Sequence, residues 1–276
     1  MILVTGATGN VGGALVRQLV GSNQRARALV RNRAEGVLPA GVESVIGDLD
    51  RPESLSAALS GVRGVFLLGG YRDMPEALAE IRRAGVERVV LLSSRSVVGG
   101  NPSNAIVNMW MASEDAARSS GVSWTILRPS GFMSNALRWA PQIRAGDMVR
   151  APFADAPIAA IDPYDIAAVA AVALTSEGHN SRSYLLTGPE ALLPADQVRT
   201  LAAVLGRDLR FEGQSGSEAR EEMSKSFPAN FVDAMFRFFA EGEFDDSQVL
   251  PTVYEITGRR PRDFEQWAMA HADAFR

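Results

Sequence analysis

The sequence predicts an α/β protein in which a doubly wound parallel sheet is followed by a smaller α+β lobe. Two observations predict it. Apolar strand-like runs and amphipathic helical stretches alternate from residue 2 to about residue 128. That rhythm builds a parallel sheet with helices on both faces and right-handed crossovers. In addition, a glycine-rich turn, Thr5 to Gly12, stands between the first apolar run and the first helical stretch. Strand, glycine turn and helix in that order make a glycine motif a candidate phosphate cradle.

Ile2, Leu3 and Val4 form a short apolar run, the mark of a strand buried on both faces. Val11, Ala14, Leu15 and Leu19 recur at helical spacing behind it. Strands are expected at 25–30 and 43–46, and a helix at 52–59 with Pro52 in its first turn. Residues 64–68 read as a fourth strand. A helix over 72–84 has Met74, Ala77, Leu78 and Ile81 on one face. A strand at 88–92, a helix at 105–120 and a strand at 122–127 complete the pattern. After Pro129 the rhythm breaks. Short apolar pieces at 148–151, 157–161, 184–186 and 209–211 mix with helices at 163–175, 195–205, 227–239 and 264–274. We read residues 1–130 as a nucleotide-binding unit. Residues 131–276 then form a substrate-covering lobe that partly crosses back onto the sheet. Phe227, Phe231, Met235, Phe236, Phe238 and Phe239 make one helix rich in aromatics. It packs in the lobe's core, or it serves as a substrate lid or dimer face.

Composition narrows the chemistry. Hydrophobic content of 46% and charged content of 22% fit a globular chain that buries a large core. A net charge of −4 gives no electrostatic case for nucleic acid. With no cysteine there is no disulfide, thiol nucleophile or cysteine metal site. His179 and His271 stand far apart, so no metal centre is expected, and both read as surface histidines. The first strand begins at residue 2, leaving no room for a signal peptide, and no apolar run reaches membrane-spanning length. The expected location is cytoplasmic. Lysine occurs once, at Lys225, so a mechanism that needs a lysine near the N-terminal fold is badly placed.

In the glycine turn Gly6 permits the tight bend, Gly9 lets the backbone approach a pyrophosphate, and Gly12 lets helix and strand pack closely. The helix's first N–H groups and its positive end face the anion. Arg31 and Arg33 stand where an NAD-specific protein places an acidic residue on the ribose hydroxyls, about 20 residues past the glycines. Guanidinium groups there suit a 2′-phosphate, so NADP(H) is expected over NAD(H). The alternative is a pair of solvated surface arginines. Asp48 either accepts from the adenine amine, with Leu49 packed on the ring, or caps the next turn. Gly69 and Gly70, after Leu68, let a backbone approach the ribose or simply make a turn. Ser93, Ser94 and Ser96 follow the fifth strand, where the nicotinamide should lie.

The motifs Thr5-Gly-Ala-Thr-Gly-Asn-Val-Gly12, Gly47-Asp-Leu49, Leu92-Ser-Ser94, Thr125-Ile-Leu-Arg-Pro129, Gly131-Phe-Met-Ser-Asn135 and Ile161-Asp-x-x-Asp165-Ile-Ala167 together resemble the NmrA-like branch of the atypical short-chain dehydrogenases/reductases. The likeness continues to Leu186-Thr-Gly-Pro189 and Thr257-Gly-Arg-Arg-Pro261. It implies a Rossmann-like fold with NADP(H) across the strand ends. By position it implies cofactor contacts from Gly6, Thr8, Gly9, Asn10, Val11, Gly12, Arg31, Arg33, Asp48, Leu49, Leu68, Gly69 and Ser93, with Pro129 to Phe132 nearer the nicotinamide. Asp165 is expected to cap a helix or pin the lobe to the sheet.

The wider superfamily uses Tyr-x-x-x-Lys, in which the tyrosine passes a proton to a carbonyl oxygen and the lysine lowers its pKa. Four places after Tyr71, Tyr164, Tyr184 and Tyr254 stand Pro75, Ala168, Gly188 and Gly258. The lysine slot of that motif falls on Trp110 and the tyrosine slot on Ile106. Trp110 either stacks on the nicotinamide or a flat substrate, or packs in the core with Val107 and Met111. Asn104 and Asn108 could orient a substrate without acting as acids. A quinone or azo acceptor can take its proton from water, because its charge is delocalised. That chemistry suits a pocket of Trp110, Phe132, Met133 and Trp139, with Trp110, Ser93 and Phe132 nearest the nicotinamide. The expectation is an NADP(H)-dependent oxidoreductase of a flat apolar acceptor, monomeric or homodimeric, with no nucleic-acid or membrane partner. The alternative is a non-catalytic NADP(H) sensor that signals to a protein partner.

Overall fold

Ile2, Leu3 and Val4 are buried because they form an interior strand of the main sheet, flanked on both sides. The structure, a computed structural model, describes residues 1–32 and 38–276. Its first half runs β1 (Ile2–Val4), α1 (Asn10–Gly21), β2 (Ala26–Val30), β3 (Glu43–Ile46), α2 (Ser56–Leu59), β4 (Gly64–Leu68), α3 (Met74–Arg83), β5 (Arg88–Leu92), α4 (Ala105–Ser119) and β6 (Ser123–Pro129). Then follow α5 (Ala140–Ala145), β7 (Met148–Ala151), α6 (Pro163–Thr175), β8 (Arg182–Leu186), α7 (Pro194–Leu205), β9 (Arg210–Gly213), α8 (Gly216–Ser224), α9 (Ala229–Phe239), α10 (Thr252–Thr257) and α11 (Phe264–Ala270).

Seven strands pair in the order β3-β2-β1-β4-β5-β6-β8, all parallel. The order reverses between β1 and β4. That is the switch point where a doubly wound sheet opens a crevice at its carboxyl edge. One face of the sheet is covered by α1 and α6, whose apolar residues form one core with β1, β2 and β4. The run Ile166-Ala-Ala-Val-Ala170 is apolar all round because α6 is buried between α1, α10 and the sheet. The other face is covered by α2, α3 and α4, with Leu55, Met74, Leu78 and Ile81 in a second core. α3 has Pro75 in its first turn and ends with Arg82 and Arg83, which suit the negative end of the helix.

A third core joins Met133, Ile143, Val149, Leu201, Phe264, Trp267 and Phe275 from α5, β7, α7 and α11. β7 and β9 form a separate two-stranded parallel sheet. Two pieces that follow residue 130, α6 and β8, belong to the main sheet and its cover.

Several expected bounds shift for local reasons. β6 extends to Pro129 because Arg128 and Pro129 pair with Leu185 and Leu186 of β8. Residues 52–55 form a 3-10 turn before α2. The aromatic helix starts at Ala229, since Phe227 precedes a proline and Pro228 takes the cap position. Residues 264–274 split into α11 and a 3-10 turn after His271. The apolar piece at 157–161 makes only isolated bridges, Ile158 with Leu192 and Ile161 with Phe132. Ile158 donates to Leu192, Ala159 to Asp246 and Ile161 to Gly131, so its N–H groups are shared among three segments. Helices α8 and α10 were not expected. α8 carries a capping box, in which the Ser215 hydroxyl accepts from the Glu218 N–H and the Glu218 carboxylate accepts from the Ser215 N–H.

Both histidines are partly exposed and each packs on an aromatic side chain. His271 stacks on Trp267 with ring centres 4.7 Å apart, and His179 Nδ1 lies 2.9 Å from the Tyr184 hydroxyl. No described helix is long and apolar enough to cross a membrane.

Candidate active site

The glycine turn lies at the switch point. Gly6 has φ +60°, a backbone that side chains rarely adopt, and its carbonyl accepts the Gly9 N–H at 2.9 Å. A Cβ on Gly12 would run into that same Gly6 carbonyl, so α1 sits as close to the turn as the backbone permits. Among the described residues, the N–H groups of Asn10, Val11 and Gly12 have no acceptor. No acidic side chain stands in the first turn of α1, and no side chain caps it. Unpartnered N–H groups at the positive end of a 12-residue helix, behind a turn that only glycine fits, suit a diphosphate. Thr8, Gly9 and Asn10 are exposed at this cradle, whereas the Val11 side chain is in the core and offers only its N–H. The Asn10 amide donates to the Ser134 hydroxyl at 3.1 Å and so ties the cradle to the second lobe. Behind the turn, Thr5 Oγ1 accepts the Leu68 N–H at 2.9 Å, and the Leu68 side chain presses on Gly6.

At the end of β2, Arg31 is exposed and makes no ion pair among the described residues. Arg33, its expected companion, lies outside the described residues. Asp48 is occupied by its own turn. Its carboxylate accepts the Asp50 N–H at 3.1 Å, its N–H donates to Ser54 Oγ at 2.9 Å, and the Arg51 guanidinium is 4.0 Å away. Leu49 is buried in the second core. Sequence reasoning missed Tyr71 here. Its phenol is pushed up from the ordinary value of 10.0 first by burial, against the field of Arg31 and with that of Asp50 and Asp48. Its place directly after Gly69-Gly70 was the available signal.

The end of β5 carries a buried charge network. Ser93 Oγ donates to Glu114 Oε1 at 2.6 Å. Glu114 has no exposed surface and receives Arg128 through two bonds, Nε at 2.8 Å and Nη2 at 2.6 Å, and Arg118 at 2.6 Å. Burial pushes this carboxyl up, but the Arg128, Ser93 and Arg118 hydrogen bonds outweigh it and hold it below its ordinary value. The Ser93 proton is therefore committed to Glu114. Asn104 caps α4 and its amide reaches the Ala234 carbonyl and Glu243, so it is a tether between lobes.

Trp110 is half-buried on α4 and lies against the Gly69-Gly70 backbone. A Cβ on Gly69 would meet its ring at 2.9 Å. Gly69 N–H donates to Leu92 and Gly70 N–H to Ser113 Oγ, which fixes this backbone beneath the ring.

A cavity of about 180 Å3 opens at the carboxyl end of β6, with Phe132, Trp139, Phe153 and Phe239 among its walls. Phe132 and Trp139 are brought together as the sequence suggested. Trp110 is not among the lining residues, and Met133 is buried in the third core, against which Trp139 also packs. Phe132, the residue before the 3-10 turn, lines the cavity, while Met133, its first residue, is enclosed in that core. Phe153, Ile158 and Leu192 come from distant segments with no common motif and were missed, while Phe239 comes from the aromatic helix for which a substrate lid was one of the readings. The cavity floor is held by Asp246, whose Oδ2 accepts the Gly131 N–H at 2.9 Å and whose Oδ1 receives Arg95 at 2.8 Å. Burial pushes the Asp246 carboxyl up, partly offset by these two partners.

Asp165 is also fully buried. It accepts the Arg262 N–H at 2.7 Å and faces Arg259 at 3.1 Å, while Asp162 caps α6 through the Tyr164 N–H. Asp165 pins the C-terminal segment to the sheet's covering helix. Among the described residues no cluster of His, Cys, Asp or Glu is suited to a metal ion.

A doubly wound sheet with a glycine cradle at its switch point defines a dinucleotide-binding protein. A family profile described as NAD(P)H-binding matches residues 6–177. The chain is 40% identical over 280 residues to (4-alkanoyl-5-oxo-2,5-dihydrofuran-3-yl)methyl phosphate reductase of Streptomyces griseus, covering 100% of this chain and 99% of that protein. It is 36% identical over 286 residues to the NAD(P)H azoreductase of Xenophilus azovorans, again covering 100% and 99%. The solved NADPH complex of the NADPH-dependent quinone oxidoreductase of Escherichia coli superposes with a TM-score of 0.81 over 99% of this chain and 100% of that one. At 22% identity that likeness speaks for the fold alone. The chain belongs to the NAD(P)H-binding family and is an NAD(P)H-dependent oxidoreductase.

Proposed function

We propose that this enzyme uses NADPH to reduce a small, flat, apolar acceptor such as a quinone, with water as the proton source. The observation that carries the reading is the aromatic cavity, whose lining includes no tyrosine, lysine or histidine. The residues after 130 serve in this reading as the substrate-covering lobe. The four tyrosines are elsewhere. Tyr71 stands at the Arg31 end, Tyr164 lies under Arg262 at 3.9 Å, Tyr184 faces His179, and Tyr254 is exposed. The single lysine, Lys225, pairs with Glu222 on the surface of the second lobe.

When bound, the cofactor supplies a hydride. The chain's own part is to hold and orient the reactants and to keep bulk water away. The N–H groups of Asn10, Val11 and Gly12 would hold the diphosphate. Arg31 and Arg33 would hold the 2′-phosphate, which supports NADP(H) over NAD(H). Trp110, packed against Gly69-Gly70, would flank the cofactor's ribose side. Phe132 and Trp139 would sandwich the acceptor. A quinone takes up the hydride and one proton from water and leaves as the hydroquinone. The names of the azoreductase and the quinone oxidoreductase support an acceptor with delocalised charge. We read the enzyme as cytoplasmic, monomeric or homodimeric, and without nucleic-acid partners, in keeping with its net charge of −4.

The test is Trp139→Ala, and separately Phe132→Ala. Each should raise KM for menadione about tenfold, the scale of one lost aromatic contact, while leaving the NADPH dissociation constant unchanged. A loss of NADPH binding with no change in KM for the acceptor would contradict the assignment of the cavity.

A further inference from the structure

We infer that the small molecule entering this cavity carries an anionic oxygen group, a carboxylate, sulfonate or phosphate, at one edge of its ring system, and that Arg138 selects it. This rests on reading the cavity as the acceptor site. Arg138 is the one charged residue among those that line it. It is the last but one residue of the 3-10 turn Met133–Trp139, so the turn that presents the Trp139 wall also presents this cation. Among the described residues its guanidinium has no carboxylate partner. It lies 5.8 Å over the Phe227 ring instead, a contact that places a cation while leaving its N–H donors unused.

Most arginines of the same lobe are consumed differently. Arg150 pairs with Glu212 and Glu218, Arg207 with Asp147, Arg220 with Asp233 and Arg237 with Glu243. The acid nearest the cavity floor, Asp246, is already paired with Arg95 and the Gly131 N–H. The cavity therefore presents four aromatic walls, the neutral amides of Asn135 and Gln197, and one uncompensated planar cation at its rim. A flat ring fits the walls, and a guanidinium fork fits a carboxylate or phosphate edge. Arg138 is a specificity residue here, and the hydride chemistry does not pass through it.

Two matched acceptors test this, a naphthoquinone bearing a propanoate side chain and the methyl ester of the same compound. They share the ring and differ in the charge. With the full chain and NADPH, kcat/KM for the acid should exceed that for the ester about tenfold, the factor one charge-assisted contact supplies, and the difference should lie in KM. Arg138→Ala should bring the ratio to about one, and Arg138→Lys should keep part of it. Equal kcat/KM for acid and ester in the unaltered protein overturns the proposal. So does an Arg138→Ala loss that is the same for both. Binding of naphthylpropanoate and its methyl ester, neither of which can accept a hydride, tests the anion site without turnover. Tighter binding of the acid that Arg138→Ala abolishes is expected, and equal binding overturns the inference. A protein that reduces neither quinone yet binds the acid through Arg138 would sink the acceptor reading while leaving the anion site standing.

Discussion

Gly12 shows how one missing side chain sets the site. Its Cα faces the Gly6 carbonyl so closely that a methyl group cannot be added without moving the turn. Gly12→Ala should weaken NADPH binding at least about tenfold. It should also lower stability by about 1–3 kcal/mol, the range for overpacking a filled position. Isothermal titration and thermal melts read both effects. Retained affinity would mean that the turn tolerates displacement. Arg31 makes the complementary case, since its charge has no partner among the described residues. Replacing Arg31 and Arg33 together with alanine should weaken NADP(H) by about 2–4 kcal/mol, taking about 1.5–3 per charge-assisted contact with partial redundancy. NAD(H) should change little, and equal losses for both cofactors would remove the 2′-phosphate assignment. The positions of both residues were legible in the sequence because each is set by the local backbone, at the glycine turn and at the end of β2. Trp110 was only half legible. Helical spacing gave its element, but whether the ring faces a cavity or two glycines depends on β4, which sequence spacing does not locate.

At the scale of elements, Glu114 is the joint between α4, β5 and β6. A carboxylate with no exposed surface is held by two arginines and Ser93. Glu114→Gln should destabilise the protein at neutral pH by about 3 kcal/mol, at the low end for breaking a buried pair because Arg128 and Arg118 both reach water. The pH dependence has a definite sign. The folded state holds Glu114 below its ordinary value of 4.5, so its contribution is present above 4.5 and is lost as pH falls through the lower folded value. Asp165 and Asp246 act oppositely. Burial raises both above 3.8, despite their hydrogen bonds, so their ionised forms cost stability that returns as pH falls through their folded values. Denaturant melts from neutral pH down to about pH 3 should show the loss below 4.5 in the parent and a flatter curve in Glu114→Gln. An unchanged acid limb would contradict the network's role. The helices and strands of the first half were legible because each has a full period of its own. Residues 157–161 were read only as an apolar piece, because such a run makes a strand only where its alternate N–H groups meet one continuous neighbour. Here three segments share them.

Over the whole molecule, the two halves meet through a few long-range bonds. These include Asn10 to Ser134, Arg95 to Asp246, and Asn104 to the Ala234 carbonyl. The cofactor cradle comes from a continuous stretch of eight residues, Thr5 to Gly12, and could be read in order. The cavity draws on segments around Phe132, Phe153, Leu192 and Phe239. No spacing rule joins these, so only Phe132 and Trp139 were named for the pocket, Phe239 only as part of a helix that could be a lid, and Met133 is enclosed in the third core instead of lining the cavity. In the proposed function the aromatic cavity takes the hydride acceptor while NADPH is held at the cradle. The most direct measurement is to bind NADPH, follow its near-ultraviolet absorbance, and add menadione and related quinones with and without protein. Absorbance should fall only when protein and acceptor are both present. Tight NADPH binding with no oxidation by any acceptor in a broad panel would contradict the proposal. The protein would then read redox state for a partner instead of turning over a substrate.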